Sequence, residues 1–483
     1  MKLKLTLALA ACLAIIETSA FCGFYVAKAG AKLFNNQSQV VFVRDGNKSV
    51  VTMSNDFQGN VSEFAMVVPV PTVLKREDIS IAKQGLFDKL DAYSGPRLVE
   101  YYDHNPCEPM PVYEDAIASM ARRSDKRERS SLKEKAMECK VTIEASYVVG
   151  EYDILVLSAT ESDGLKRWLE DNDYKIPAKA ERVLAPYIKN NMKFFVVKVN
   201  TDVMKIQGFT KLRPLQISFE SEKFMLPIRL GMSNSNGPQD MIVYAFTKKG
   251  RIEAANYRTV NIPSNRDIPT FLKGEKFEQF YVDLFDKAYK TAGKNAVFTE
   301  YAWDVSPSFG GVKCDPCVGP PPITQDLKDA GIWWIERSGV SSVYFTRLHV
   351  RYTEDKFPED LFFIETSDRG RFQGRYVMRH PAGGDLSCKE GEKYVTILKQ
   401  RRGKELSELA ALTDWNVSKY SKYQETGSAW IDEKDGSTTP EKIEKEIDRG
   451  SGWGMLLLIG GLILFLLGNF LVDIRKTLHF HRA

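Results

Sequence analysis

Histidine is scarce in this sequence, with five in 483 residues against 67 Lys and Arg and 63 Asp and Glu. Two of the five lie in the last few residues, leaving His104, His349 and His380 for the body of the chain. The familiar catalytic motifs are missing as well. There is no Gly-x-Ser-x-Gly elbow, His-Glu-x-x-His pair, phosphate loop or dinucleotide fingerprint after a strand, so the best-marked hydrolase, metalloprotease and nucleotide chemistries have no foothold. Ser-x-x-Lys occurs at 80–83 and 130–133 without the companion motifs that give it meaning. An excess of one charge is also lacking. The net charge is +4, and no polybasic stripe of the kind nucleic acid requires is present.

Two segments are strongly marked. Lys2 and Lys4 precede an apolar run over 5–16, and Thr18 and Ala20 stand at the −3 and −1 positions of a secretory cleavage site. The run is too short to cross a hydrocarbon core of about 30 Å as a helix, so 1–20 reads as a signal peptide. Acylation of Cys22 would need a small residue before it, and Phe21 stands there. Residues 454–472 carry no charge and are dense in Leu, Ile and Phe. As a helix they reach roughly 29 Å, the thickness of the membrane core. Arg475, Lys476 and Arg482 follow, which puts the tail in the cytosol by the positive-inside bias. The expected topology is single-pass type I, with the large domain periplasmic or at the cell surface. Gly454, Gly461 and Gly468 recur every seven residues, with Asn469 beside the last. That seam would let membrane helices pack closely and form an oligomer; glycine is also common in such helices for other reasons.

Between these ends the fold class reads as α+β, a multi-unit mixed domain with antiparallel sheets. Residues 21–262 form an N-terminal α+β region with a charged excursion at 108–138. Strands followed by two helices occur twice there, from Val40 and from Lys140, which suggests an internal duplication. The first unit has a hairpin at Asp45-Gly46-Asn47 and helices near 85–93 and 96–102. Residues 263–415 form a C-terminal α+β region with a Cys-x-x-Cys loop. Its clearest element is a helix over 275–292, where Phe277, Phe280, Tyr281, Leu284, Phe285 and Ala288 follow the i, i+3, i+4 spacing of one apolar stripe. Residues 416–453 are polar and poorly periodic, as expected of a linker or stalk, before the membrane helix at 454–472 and the tail at 473–483.

Six cysteines outlast the signal peptide: Cys22, Cys107, Cys139, Cys314, Cys317 and Cys388. An even number outside the cytosol reads as disulfides. Fifteen pairings exist. The arrangement that pins the charged excursion joins Cys107 to Cys139, closes Cys314 on Cys317 and leaves Cys22 with Cys388. Cys314-Asp315-Pro316-Cys317 also fits a redox dithiol, but Pro320, Pro321 and Pro322 forbid the helix that activates the first thiol in such sites. Zinc would need two more ligands, and no second Cys-x-x-Cys or His-x-His supplies them; neither metal nor cofactor is expected. In 345–351, Arg347, His349 and Arg351 alternate onto one strand face with Leu348 and Val350 on the other. The row suits an anion such as a phosphate or acidic glycan, or is simply a solvated face. Carboxylate pairs such as Glu300 and Asp304 could serve glycosidase chemistry, with nothing to separate them from surface acids.

Several stretches resemble a bacterial family known only as a domain of unknown function, number 2330. They are Cys22-Gly23-Phe24-Tyr25-Val26, the Phe-Ala-Met-Val-Val-Pro-Val-Pro-Thr of 64–72, 91–101, the Phe-Thr-Glu-Tyr-Ala-Trp of 298–303, Cys314 to Cys317, and 346–352. The resemblance implies a bacterial envelope location and brings no activity, ligand or catalytic residue. The expected function is therefore a membrane-tethered, non-enzymatic binding or scaffolding protein with a protein or glycan partner. The alternative is an extracytoplasmic enzyme: a thiol–disulfide oxidoreductase using Cys314 and Cys317, or a hydrolase of unrecognised type.

Overall fold

The structure is a computed structural model of the 483-residue chain. It describes residues 24–28, 38–54, 64–108, 141–159, 162–172, 174–175, 180–200, 202–203, 212–234, 237–307, 320–335 and 341–425. The stretches expected to be a signal peptide, a charged excursion beyond residue 108, the Cys314 and Cys317 loop, a stalk beyond residue 425 and a membrane helix lie outside the described residues. Among the described residues no helix is long and apolar enough to cross a membrane.

Seven α-helices are described: α1 (Leu86–Ser94), α2 (Ser162–Asp171), α3 (Ala180–Lys189), α4 (Glu275–Thr291), α5 (Thr324–Asp329), α6 (Lys389–Thr413) and α7 (Ser421–Glu425). They pack around two main sheets, and the mixed α+β class holds. The larger sheet has nine strands. In spatial order eight of them are Arg258–Asn261, Ala296–Asp304, Tyr344–Tyr352, Gln239–Thr247, Ser38–Asp45, Lys48–Ser54, Leu215–Glu220 and Ile79–Ile81, and Phe372–Gln373 pairs with Ala296–Asp304. Strands from both the 21–262 and the 263–415 regions are thus woven into one sheet. The smaller sheet is antiparallel throughout, in the order Val141–Val149, Tyr152–Ala159, Lys193–Val199, Phe64–Val70, Phe24–Lys28, Tyr174–Lys175.

Strand alternation explains why the sheets stack. Val40, Phe42, Val51, Met53, Met241, Val243, Leu348 and Val350 leave one face of the larger sheet and meet Met66, Val68, Ile154, Val156, Phe195 and Val197 from the smaller one in a single core. The residues between them in sequence point the other way. On the smaller sheet, Val67, Phe194 and Val196 pack under Leu165, Trp168 and Leu169 of α2 and Leu184 and Tyr187 of α3. On the larger sheet, Val41, Val43, Tyr244 and Phe345 pack under Leu86, Phe87, Leu90 and Tyr93 of α1. Next to them Phe298 meets Phe280, Leu284 and Phe285 of α4. The result is four layers: helices, sheet, sheet, helices.

The Gly46-Asn47 hairpin is present, with Asp45 opposite Lys48 and Gly46 at φ +57°. The helix near 85–93 and the long amphipathic helix are present as α1 and α4. Other expectations change. Residues expected as a helix over 96–102 form strand Arg97–Tyr102, which pairs in parallel with Arg375–His380, itself parallel to Arg266–Ile268. Not every sheet is antiparallel, therefore, and the first of the two strand–helix–helix units holds one helix rather than two. Helix α6 is new. Its buried stripe of Leu398, Arg402, Glu405, Leu406, Leu409 and Leu412 has helical spacing, but two members are charged. Arg402 stacks on the Tyr423 ring at 4.8 Å and donates to the Tyr423 carbonyl at 3.1 Å, while Glu405 accepts from the Tyr423 hydroxyl. That docks α7 on α6, so the first part of the segment read as a stalk is folded.

Candidate functional site

Strand Tyr344–Tyr352 lies inside the larger sheet between Gln239–Thr247 and Ala296–Asp304. Its alternation puts Arg347, His349 and Arg351 on the helix-covered face, as the sequence pattern indicates. The face is not solvated: the side chains of Arg347 and His349 are only 7% and 10% exposed. Buried charge at this depth requires partners, and the neighbouring strands supply them. Asp240 stands directly opposite Arg351. On the other side the register shifts between Thr299 and Tyr301, so Glu300 is the extra residue of a bulge. A bulge re-aims a side chain, and here it sends the Glu300 carboxylate into the row, 1% exposed.

The contacts form a continuous spine. Arg347 donates through Nη1 to Asp91 at 2.6 Å and through Nε to Glu300 at 2.6 Å. His349 reaches Glu300 from Nδ1 at 2.8 Å and Asp240 from Nε2 at 3.0 Å. Arg351 forks onto Asp240 with Nε and Nη2 at 2.9 and 3.0 Å. Tyr281 of α4 donates its hydroxyl to Glu300, and Tyr244 donates to Asp91 at 2.9 Å. Phe285 of α4 stacks flat on the His349 ring, centroids 3.7 Å apart.

Burial alone would push the Glu300 carboxyl up. The guanidinium of Arg347 and the imidazole of His349 outweigh it and hold the group at about 2. Asp240 is held at about 2 against its own burial by His349 and Arg351. Burial would lower His349, yet Glu300 and Asp240 raise it above the ordinary histidine value. Below its raised pKa, an imidazole with a carboxylate at each nitrogen carries both protons and has no lone pair left. Asp91, Glu300 and Asp240, with Asp286 of α4 3.6 Å from Arg351, therefore face Arg347, His349 and Arg351, and the anions answering the basic row are the chain's own. The two carboxylates approach opposite ring nitrogens, so they do not converge with His349 on one point. Among the described residues no group of three or more His, Cys, Asp or Glu is placed to hold a metal ion.

The other candidates scatter. His104 contacts the Glu108 carbonyl at 3.0 Å, and His380 contacts Glu100 with Tyr102 stacked on its ring. Asp304 is taken up by Arg369 and Ser306 rather than paired with Glu300. The disulfide joins Cys107 to Cys388, Cα atoms 5.9 Å apart, in place of the Cys107–Cys139 and Cys22–Cys388 pairings. Its reason is spatial: Asn105 bonds the Gly383 and Asp385 carbonyls at 3.1 and 3.2 Å, drawing the two loops together. Gly391 leaves room for the bridge, since a Cβ there would lie 2.9 Å from the Cys107 sulfur. Cys22, Cys139, Cys314, Cys317, Gly454, Gly461, Gly468 and Asn469 lie outside the described residues.

A cleft opens on the opposite face of the larger sheet. It has a volume of about 270 Å³, between the Lys48–Ser54 and Leu215–Glu220 strands on one side and Phe64–Val70 on the other. Met53, Val68, Val70, Ile217, Met192 and Met225 line it, and Asn190, Ser221, Glu222 and Lys223 stand at its rim. Met53, Val68, Val70 and Ile217 belong to the core between the sheets and are nearly fully buried, so the cleft opens at the margin of that core, towards Met192, Met225 and the polar rim. Sequence reading missed this cleft, because each of its walls looks like ordinary sandwich core.

A four-layer α+β body with an ionic spine, buried at Glu300, Arg347 and His349, on one sheet face and an open apolar cleft on the other is the class of protein these features define. The chain belongs to the bacterial family described as uncharacterized protein conserved in bacteria, domain of unknown function 2330, whose model matches residues 16–364. The spine and the cleft both fall within that match. No curated protein and no solved structure matches the chain.

Proposed function

We propose that this chain is a membrane-tethered binding protein of the bacterial envelope, its folded body outside the cytosol, and that the cleft receives an apolar side chain of a protein partner. The cleft carries the reading. Its interior is uncharged, three methionines can repack around an incoming group, and polar residues ring the mouth, the anatomy of an anchor pocket with a rim. At about 270 Å³ it falls just under the range of sites for whole small-molecule ligands, about 300–1,000 Å³, and suits one large side chain. A Cys107–Cys388 bridge supports an oxidising compartment, and the signal-peptide and membrane-segment patterns support type I tethering.

The test uses 8-anilinonaphthalene-1-sulfonate, which fluoresces when its rings leave water. Saturable enhancement by the full chain, abolished in Met53→Trp, which fills the cleft, supports the reading. No saturable enhancement, or enhancement unchanged in the filled variant, overturns it. The tether is tested separately by labelling cysteines placed after residue 472; access from outside the cell would refute the topology.

A further inference from the structure

A second cavity lies away from the cleft and the spine, and its chemistry differs from both. It measures about 220 Å³ and sits where the first turn of α3, the turn after Leu226 and the turn after Tyr352 meet. Val183, Met232 and Phe357 form its floor and are nearly fully buried. Arg182 and Arg229 stand in its walls. Arg182 is paired with Glu354 across the mouth, both side chains well exposed, so that pair holds little energy and yields easily.

Arg229 is the unusual member. Its guanidinium makes no hydrogen bond or ion pair with the described residues, although its backbone N–H bonds the Asp360 carboxylate at 3.2 Å. Asp360 takes up its own oxygen with the Tyr187 hydroxyl at 2.6 Å and the Ile228 and Arg229 N–H groups, and burial raises its pKa. It influences Arg229 through space without forming a salt bridge. Arg229, partly buried, thus lines a cavity with an apolar floor, its guanidinium donors unspent among the described residues. The cavity's charged residues, Arg182, Arg229 and Glu354, leave an excess of one positive charge.

We infer that this cavity is a binding site for a small monocarboxylate with an apolar body, its carboxylate gripped by Arg229 and its body lying on Phe357 and Val183. A carboxylate matches the guanidinium fork with two parallel hydrogen bonds, which a single ammonium or hydroxyl donor does not offer. The floor asks for an apolar body, and the volume limits it to about one ring or a short branched chain. Arg182 adds attraction at the mouth once it lets go of Glu354.

Isothermal titration of the full-length chain with benzoate, acetate and inorganic phosphate tests this. Saturable benzoate binding is expected, with acetate and phosphate each weaker. Arg229→Gln should weaken benzoate by about tenfold or more, the worth of a charged hydrogen-bond pair, and Arg182→Gln by about two- to threefold. Arg229→Lys keeps the charge without the fork and should fall between wild type and Arg229→Gln, which also guards against a folding defect in the Gln variant. Met53→Trp should leave benzoate binding unchanged, so this site stands or falls apart from the cleft. Absence of saturable benzoate binding, an unaffected Arg229→Gln, or phosphate binding as tightly as benzoate would overturn the assignment.

Discussion

The two faces of the larger sheet solve opposite problems with the same strand geometry. On one face Arg347, His349, Arg351, Glu300 and Asp240 bury charge under α1 and α4, and every group of that row has found its counter-ion. On the other face the residues are apolar, and beside the Lys48–Ser54 and Leu215–Glu220 strands the margin of the core between the sheets leaves a cleft. Desolvated charge has no tolerance for a missing partner, because the one left behind keeps its full desolvation cost. Apolar walls have no such constraint and can stand open to an incoming group. The ionic face is therefore expected to govern stability and the apolar face to govern binding.

The largest effect that can break this contrast is at Glu300. Glu300→Leu takes the shared, most deeply buried partner from both Arg347 and His349, leaving Arg347 with Asp91 and His349 with Asp240, and removing one partner of a buried pair costs about 3–5 kcal/mol. Urea unfolding should show that loss. Met53→Trp on the cleft face should by contrast move stability far less while removing probe binding. If Glu300→Leu unfolds within about 1 kcal/mol of wild type, the spine does not hold the face together.

A smaller effect tests whether the layers depend on a covalent tie outside both faces. The Cys107–Cys388 bridge spans 281 residues and fixes the start of α6 to the loop after Arg97–Tyr102. Cys388→Ser should cost about 2–4 kcal/mol, read from unfolding midpoints, and reductant should bring wild type to the same midpoint. Peptide mapping that joins Cys107 to Cys139 instead would refute the pairing.

Much of the framework is written in local pattern. The period-two strands, the Gly46-Asn47 turn and the apolar stripe of α4 each declare themselves within a few residues. The row of Arg347, His349 and Arg351 is legible in the same way, but its environment is not. Asp240 is the single acid of its strand and Glu300 the one acid inside Ala296–Asp304, whose other acid ends the strand, which is the one local sign that they face something charged; that Glu300 points inward at all depends on a bulge set by pairing with a strand some fifty residues away. Helix α6 hid because its buried stripe includes Arg402 and Glu405, which a hydropathy reading counts as surface. Arg97–Tyr102 reads as a helix in isolation because its pairing partner, Arg375–His380, lies far along the chain. The disulfide partner of Cys107 and the cleft are likewise products of long-range packing.

The smallest effect sharpens the contrast most finely, because it titrates one face and not the other. His349 has a folded pKa above the ordinary 6.5, so its contribution is complete below that value and is lost as pH rises through the folded value. Glu300 and Asp240, held at about 2 from ordinary values of 4.5 and 3.8, contribute above those ordinary values and lose their contribution as pH falls towards 2. Stability should therefore be highest between about 4.5 and 6.5 and decline on both sides. His349→Gln can still bond Glu300 or Asp240 but carries no proton to lose. It should sit about 1.5 kcal/mol below wild type in that window, the worth of a charge-assisted hydrogen bond, and approach it as the pH rises. Urea midpoints between pH 5 and 9 for wild type, His349→Gln and Met53→Trp separate the faces: the cleft variant should keep the alkaline decline and the spine variant should lose it. An alkaline decline of equal size in His349→Gln would place the titrating group elsewhere and dissolve the distinction between the two faces.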